Sequence, residues 1–191
     1  MASRRTRGRR IPRGTPEAIH AALTDWVFEE FADTLDRLTA DLTDPAEVIA
    51  VCVRHTLIRA GRESQWGHFL IREGLSARAL SRGLGPRLLR DIQKGVQCGR
   101  LIADDPLRCV LTVGGTVLAS IAAELRFGRT DNSMPIIPER PEYTVDCLAE
   151  RAAASLLLTL GLPRVEADEI ANRPLPLVVA PAKDDFGASG D

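Results

Sequence analysis

Trp66 and Phe69 stand three residues apart in a chain whose aromatic residues make up only 4% of the total, and Cys52, His55 and Thr56 precede them at helical spacing. Thr112 and Thr116 follow on a later segment, four residues apart. Large flat apolar surfaces beside a few hydrogen-bonding groups suit a mostly apolar small molecule oriented by a handful of polar contacts. Phe31 and Ile92 join them by helical phase. The candidate ligand-binding set is therefore Phe31, Cys52, His55, Thr56, Trp66, Phe69, Ile92, Thr112 and Thr116. A plainer reading stays open, in which the same residues fill a core and each threonine bonds its own helix backbone.

Covalent and metal chemistry have less support. Cys52 and His55 can share one face of a helix, but zinc needs more protein ligands than two, and Cys98, Cys109 and Cys147 are scattered along the chain. No metal site is expected. The chain has no GxSxG, HExxH, Walker loop or dinucleotide fingerprint. Its acids fall on exposed helical faces at ordinary solvating positions. No catalytic residue and no cofactor is expected, and the chain does not read as an enzyme.

The elements that would position these residues are helices. With 45% hydrophobic and 27% charged residues in 191, the chain can fold around one real core. Its apolar mass is mainly Leu, Ala, Val and Ile, which favours helix packed on helix. Thr15-Pro16-Glu17 sets a cap residue, a first-turn proline and an acid in order, and a long helix carries Ile19, Leu23, Trp26, Phe31, Leu35 and on to Leu42. Thr43-Asp44-Pro45 repeats the device and opens a second helix that ends at Gly61. A short helix is expected over 65–72 and another from Gly85-Pro86 to about Leu101, with Leu88, Leu89, Ile92 and Val96 inward. Asp105-Pro106 opens the most apolar helix, whose residues from Leu107 to Leu125 cover more than one face; it is expected to be buried on two sides. Gly128 to Pro141 reads as a loop, Val145 to Leu160 as a further helix, and 165–171 as a brief helical turn.

Charge is unevenly spread. Arg4, Arg5, Arg7, Arg9, Arg10 and Arg13 crowd the first thirteen residues without an acid among them, so the remainder is acidic although the whole chain carries only −1. The arm, 1–13, reads as disordered, either a solvated tail or one that follows a phosphate backbone. The polar end, 178–191, reads likewise as a disordered tail, leaving 14–177 as one domain. The basic start lacks the apolar stretch of a secretory signal, no uninterrupted apolar run reaches the roughly 18 residues of a membrane span, and the unpaired cysteines fit a reducing compartment. A cytoplasmic protein without a membrane partner is the expectation.

Several phrases, taken in order, resemble the C-terminal domain of TetR-family transcriptional regulators: the helix around Trp26 to Leu38, Asp44-Pro45, Trp66-Gly67-His68-Phe69-Leu70, Leu89 through Gly99-Arg100-Leu101, Asp104-Asp105-Pro106, Thr112-Val113-Gly114-Gly115, and Leu160-Gly161-Leu162-Pro163. The resemblance implies an all-α domain of orthogonal helices with an effector pocket among its central helices and a two-helix face that pairs with a second copy. In the family a three-helix DNA-binding unit precedes this domain. Residues 1–18 are too short to form one, so contact with DNA is expected only if a helix-turn-helix is supplied upstream or by a partner.

The dimer expectation also has support in the residues. Gly114, Gly115, Ala119 and Ala122 on one helix, and Ala149, Ala152 and Ala153 on the later one, permit close helix approach. The candidate interface is Val117, Ile121, Leu125, Leu148, Ala152 and Leu156. The sequence reading is thus the effector-binding and dimerisation domain of a TetR-like regulator, homodimeric and taking a small, mostly apolar effector. A free-standing small-molecule binding protein, or a heterodimerising partner of an intact regulator, is the alternative.

Overall fold

The computed structural model describes residues 15–128 and 147–176, and the structural statements below concern these residues. They form eight helices and no strand: α1 (Pro16–Leu38), α2 (Pro45–Arg62), α3 (Ser64–Glu73), α4 (Ala77–Ser81), α5 (Leu84–Gln97), α6 (Pro106–Phe127), α7 (Leu148–Thr159) and α8 (Arg164–Ala171). The arginine arm, most of the loop expected from Gly128 to Pro141 and the polar tail lie outside the described residues.

Three helices start where cap chemistry requires it. Thr15 Oγ1 accepts the Ala18 N–H at 3.3 Å, an Asp44 carboxylate oxygen accepts from Ala46 N–H at 3.0 Å, and Asp105 accepts from Arg108 N–H at 3.1 Å. Each cap is followed by proline, whose missing N–H costs nothing at that position. Asp44 is also held by Arg100 through two bonds of 2.9 and 2.8 Å, while a third nitrogen of Arg100 reaches Glu166 at 2.7 Å. That guanidinium ties the start of α2 to α8.

The hydrogen bonds from Arg100 hold the Asp44 carboxyl below its ordinary range, outweighing the opposing effect of burial. A depressed folded value means stability that is present above the unfolded pKa, about 3.9, and is lost as pH falls through the folded one. Asp44→Ala is therefore expected to cost about 1–2 kcal/mol at pH 7 through loss of the cap and the partly exposed pair. In urea melts the gap from wild type should narrow steadily between pH 5 and pH 2; a gap independent of pH would refute the ion-pair contribution.

α2 is the central helix. It packs on α3, α5, α6, α7 and α8, and its Ile49, Ala50, Val53, Leu57 and Ala60 are buried. Even Arg54 is only 6% exposed, bonded to Glu150 Oε1 at 3.0 Å and to the Arg173 carbonyl at 2.6 Å. Such a charge needs partners of this kind to be buried at all.

Four details depart from the sequence expectation. α1 ends at Leu38 rather than running to Leu42, because Thr39 turns its hydroxyl back to the Leu35 carbonyl at 2.9 Å. Its buried face is Thr24, Phe28, Phe31, Ala32 and Leu35, whereas Ile19, Leu23 and Trp26 are 57–64% exposed on the other side. α5 stops at Gln97: Gly95 brings its backbone so close to Leu101 that a Cβ there would lie 2.4 Å from a leucine methyl, and Gly99 turns the chain with a φ of +71°. An unanticipated short helix, α4, fills the gap before α5.

The largest departure concerns α6. It touches α2, α3, α5 and α7, yet only 22% of its most apolar window is buried. Although no unbroken apolar run is present, its length and composition equal those of a membrane-spanning helix. Leu107 and Leu111 are 63% and 45% exposed, and Ala119 and Ala122 continue the same outward face. α6 is not buried on two sides within the subunit.

Candidate functional site

Six helices, α1 to α6, enclose a cavity of about 130 Å³. Most of its wall is hydrocarbon: Leu35 from α1, Ile49 and Val53 from α2, Leu70 from α3, Leu80 from α4, Leu84 and Leu88 around α5, and Val110, Val113, Val117 and Leu118 from α6. Charge enters on one side only, through Asp36 of α1 and Arg87 and Asp91 of α5.

Those charges form a network. Asp36 accepts from Arg87 Nε at 2.7 Å and from Arg90 Nη2 at 2.8 Å. Arg87 also donates to Glu29 at 2.9 Å and to Asp33. Arg90 forks onto Asp91 at 2.8 and 3.0 Å, and Asp91 is 9% exposed. Burial alone would raise the Asp36 carboxyl, but hydrogen bonds from Arg90 and Arg87 prevail and hold it below its usual range. Asp36 therefore stays ionised at the cavity wall, where the guanidinium groups of Arg87 and Arg90 bind it. Such a pole accepts hydrogen bonds from a ligand without demanding that the ligand carry charge.

Cys52 and Thr56, from the candidate ligand set, line this cavity. Burial, reinforced by the nearby Asp91 and Asp36 charges, pushes the Cys52 thiol up to about 12, so it stays protonated and behaves as a small apolar group. Thr56 donates its hydroxyl to the Cys52 carbonyl at 2.7 Å, leaving its oxygen able to accept.

The remaining candidates lie elsewhere. Phe31 stacks with His55 at a centroid distance of 6.3 Å and meets Trp66 edge-on at 4.6 Å, with the Arg59 guanidinium 4.6 Å from the Trp66 ring. The Trp66 indole N–H is buried without a hydrogen-bond partner. Burial, with Arg59 and Arg62 nearby, lowers the His55 pKa and favours the neutral ring. Phe69 packs on Phe28 at 5.3 Å, Ile92 is fully buried in the core, and Thr112 and Thr116 are half-buried on α6 outside the cavity lining. No cluster of three or more potential metal-binding side chains occurs among the described residues.

Of the candidate interface residues, Val117 lines the cavity, and Ile121, Ala152 and Leu156 are at most 6% exposed inside the subunit. Leu125 and Leu148 are half-buried. The outward apolar face of α6 lies on a different phase, through Leu107, Leu111 and Ala119.

Sequence reasoning missed the charged pole by assigning the acids to solvating positions. A usable signal was present: Glu29, Asp33 and Asp36 recur at four- and three-residue steps on α1, and Arg87 and Arg90 recur at a three-residue step on α5. Matched stripes of opposite charge on two helices are complementary faces.

The family model for the tetracyclin repressor-like C-terminal domain matches residues 44–173. The chain belongs to the TetR family. Two solved structures of RolR, a TetR-family regulator, share its fold. RolR in complex with the ligand resorcinol is 29% identical with a TM-score of 0.65, over 86% of this chain and 74% of that one. RolR without ligand is 30% identical with a TM-score of 0.67, over 85% and 77% of the respective chains. No match was found among curated proteins. Membership of the TetR family, whose members are transcriptional regulators, accounts for the all-α architecture.

Proposed function

We propose that this domain is the effector-binding and dimerisation part of a cytoplasmic transcriptional regulator, and that its effector is a small neutral ring compound bearing hydroxyl groups. The observation that carries this reading is the one-sided cavity: hydrocarbon on most of its wall, with Asp36, Arg87 and Asp91 at one pole. Its volume is close to the roughly 150 Å³ of an engineered cavity that takes up benzene. Hydroxyl groups on such a ring would donate to Asp36 or Asp91 and accept from Arg87, displacing little of the existing network. An anionic ring would meet the carboxylates of Asp36 and Asp91.

Similarity to RolR, which was solved with resorcinol, supports the same chemical class. Effector binding would then bias an equilibrium between two arrangements of a paired molecule, and any change in affinity for promoter DNA would equal the difference in effector affinity between them. Pairing itself is supported by the wet apolar face of α6. The four cysteines described, Cys52, Cys98, Cys109 and Cys147, are all unpaired, consistent with a reducing compartment.

Isothermal titration of the full chain with resorcinol, benzoate and cyclohexane carboxylate tests the reading. Resorcinol should bind at least about tenfold more tightly than either carboxylate, the worth of one good hydrogen bond to a charged group. Equal or weaker binding of resorcinol would overturn it.

A further inference from the structure

α6 contains two consecutive mid-helix glycines, Gly114 and Gly115, although glycine weakens a helix relative to alanine. At other positions in this fold, such as Gly67 and Gly74, close neighbours explain the glycine. A Cβ on Gly67 would lie 3.0 Å from a Leu125 methyl and 3.2 Å from the Ala60 carbonyl, and one on Gly74 would lie 2.5 Å from the Leu70 carbonyl. At Gly114 the only atom within 4 Å would be a Leu75 methyl at 3.8 Å, an ordinary contact. Packing within the subunit does not require glycine there. What the missing side chain leaves is space, because Gly114 lines the cavity.

That part of the wall is chemically distinct. Leu75, Val113, Gly114, Val117 and Leu118 surround it without a polar side-chain atom, whereas the charged lining residues come from α1 and α5. Leu75 is also 51% exposed, so the wall reaches the surface here. A ring anchored by its hydroxyls at Asp36 and Asp91 would direct any further carbon toward this apolar side.

We propose that the effector is a hydroxylated ring carrying a short apolar substituent, and that the substituent lies against Gly114, which sets the size accepted. This rests on the effector-binding reading above and names the ligand class more narrowly. Burial of each added methylene should tighten binding about fourfold until the cavity is filled.

The test is calorimetric titration of the full chain with resorcinol, 5-methylresorcinol, 5-propylresorcinol and propylbenzene, on wild type, Gly114→Ala and Gly114→Leu. In wild type the propyl compound should bind at least tenfold more tightly than resorcinol, and propylbenzene, lacking hydroxyls, more weakly than either. The propyl-to-resorcinol ratio should shrink in Gly114→Ala and fall to one or below in Gly114→Leu. Gly114→Ala favours the helix and meets no steric obstacle, so the ratio is readable even if the leucine variant folds poorly. Binding of resorcinol without tighter binding of the substituted rings, or a ratio unmoved by either substitution, overturns this proposal alone. Failure of every ring to bind overturns the effector reading with it.

Discussion

Asp91→Ala is expected to weaken resorcinol binding by about 10- to 100-fold, the cost of losing a hydrogen bond to a charged group at a water-poor wall. Asp91 is the most buried acid of the cavity pole, and its carboxylate holds both Arg90 Nε and Nη2. Without it, Arg90 keeps only its bond to Asp36 and is free to tilt into the space a hydroxyl would occupy. Toluene offers no hydroxyl, so its affinity should change by less than about threefold. Parallel titrations of the two ligands separate loss of recognition from collapse of the cavity. Equal losses for both would mean that the aspartate shapes the wall without reading the ligand.

Leu111→Asp is expected to abolish the proposed pairing, raising its dissociation constant by more than about 100-fold. Leu111 is 45% exposed on the subunit, so a carboxylate there is solvated in the monomer and the fold should survive. In an isologous pair every substitution acts twice across the symmetry axis. Two desolvated, like-charged carboxylates in an otherwise apolar interface would cost several kcal/mol. Gly115 lies four residues further along the same face, and a Cβ on it would meet nothing within 4 Å, so its small size suits approach by a second helix. Sedimentation velocity at micromolar concentration, with a thermal melt as folding control, checks the result. A variant that remains dimeric, or a wild type that sediments as a monomer, would remove α6 from the interface.

Much of this architecture is legible in the chain, for identifiable reasons. Thr15-Pro16, Asp44-Pro45 and Asp105-Pro106 determine helix starts by local chemistry, and local chemistry survives folding unchanged. The ordered phrases from Asp44 to Leu162 identify the family because they mark where helices begin, turn and end. The rotation of α1 was less accessible. Ile19, Leu23 and Trp26 lie on the side of the helix opposite Phe28, Ala32 and Leu35, and an apolar count alone cannot choose between two apolar faces. The choice becomes visible once α5 is placed, where Arg87 and Arg90 pair with Glu29, Asp33 and Asp36 beside the buried Phe28, Ala32 and Leu35 face. For the same reason the cavity pole was hidden. A carboxylate is assigned to solvent until the helix carrying its guanidinium partner is placed. The phase of α6 shows a related limit, since a helix apolar all round does not disclose which part a neighbour covers.

The ties around α2 also have a meaning in time. Arg54 meets Glu150 across 96 residues and the Arg173 carbonyl across 119, and Arg173 in turn grips Glu47 across 126. On a ribosome adding roughly 5–20 residues each second, Arg54 is made some 5–20 s before Glu150. Through that interval the arginine has no carboxylate to enter the interior with, and the apolar surface awaiting α7 and α8 stays open. The domain's middle helix is thus finished early and settled last, so a nascent chain stalled before Glu150 would present to chaperones the very surface that the completed molecule hides most thoroughly.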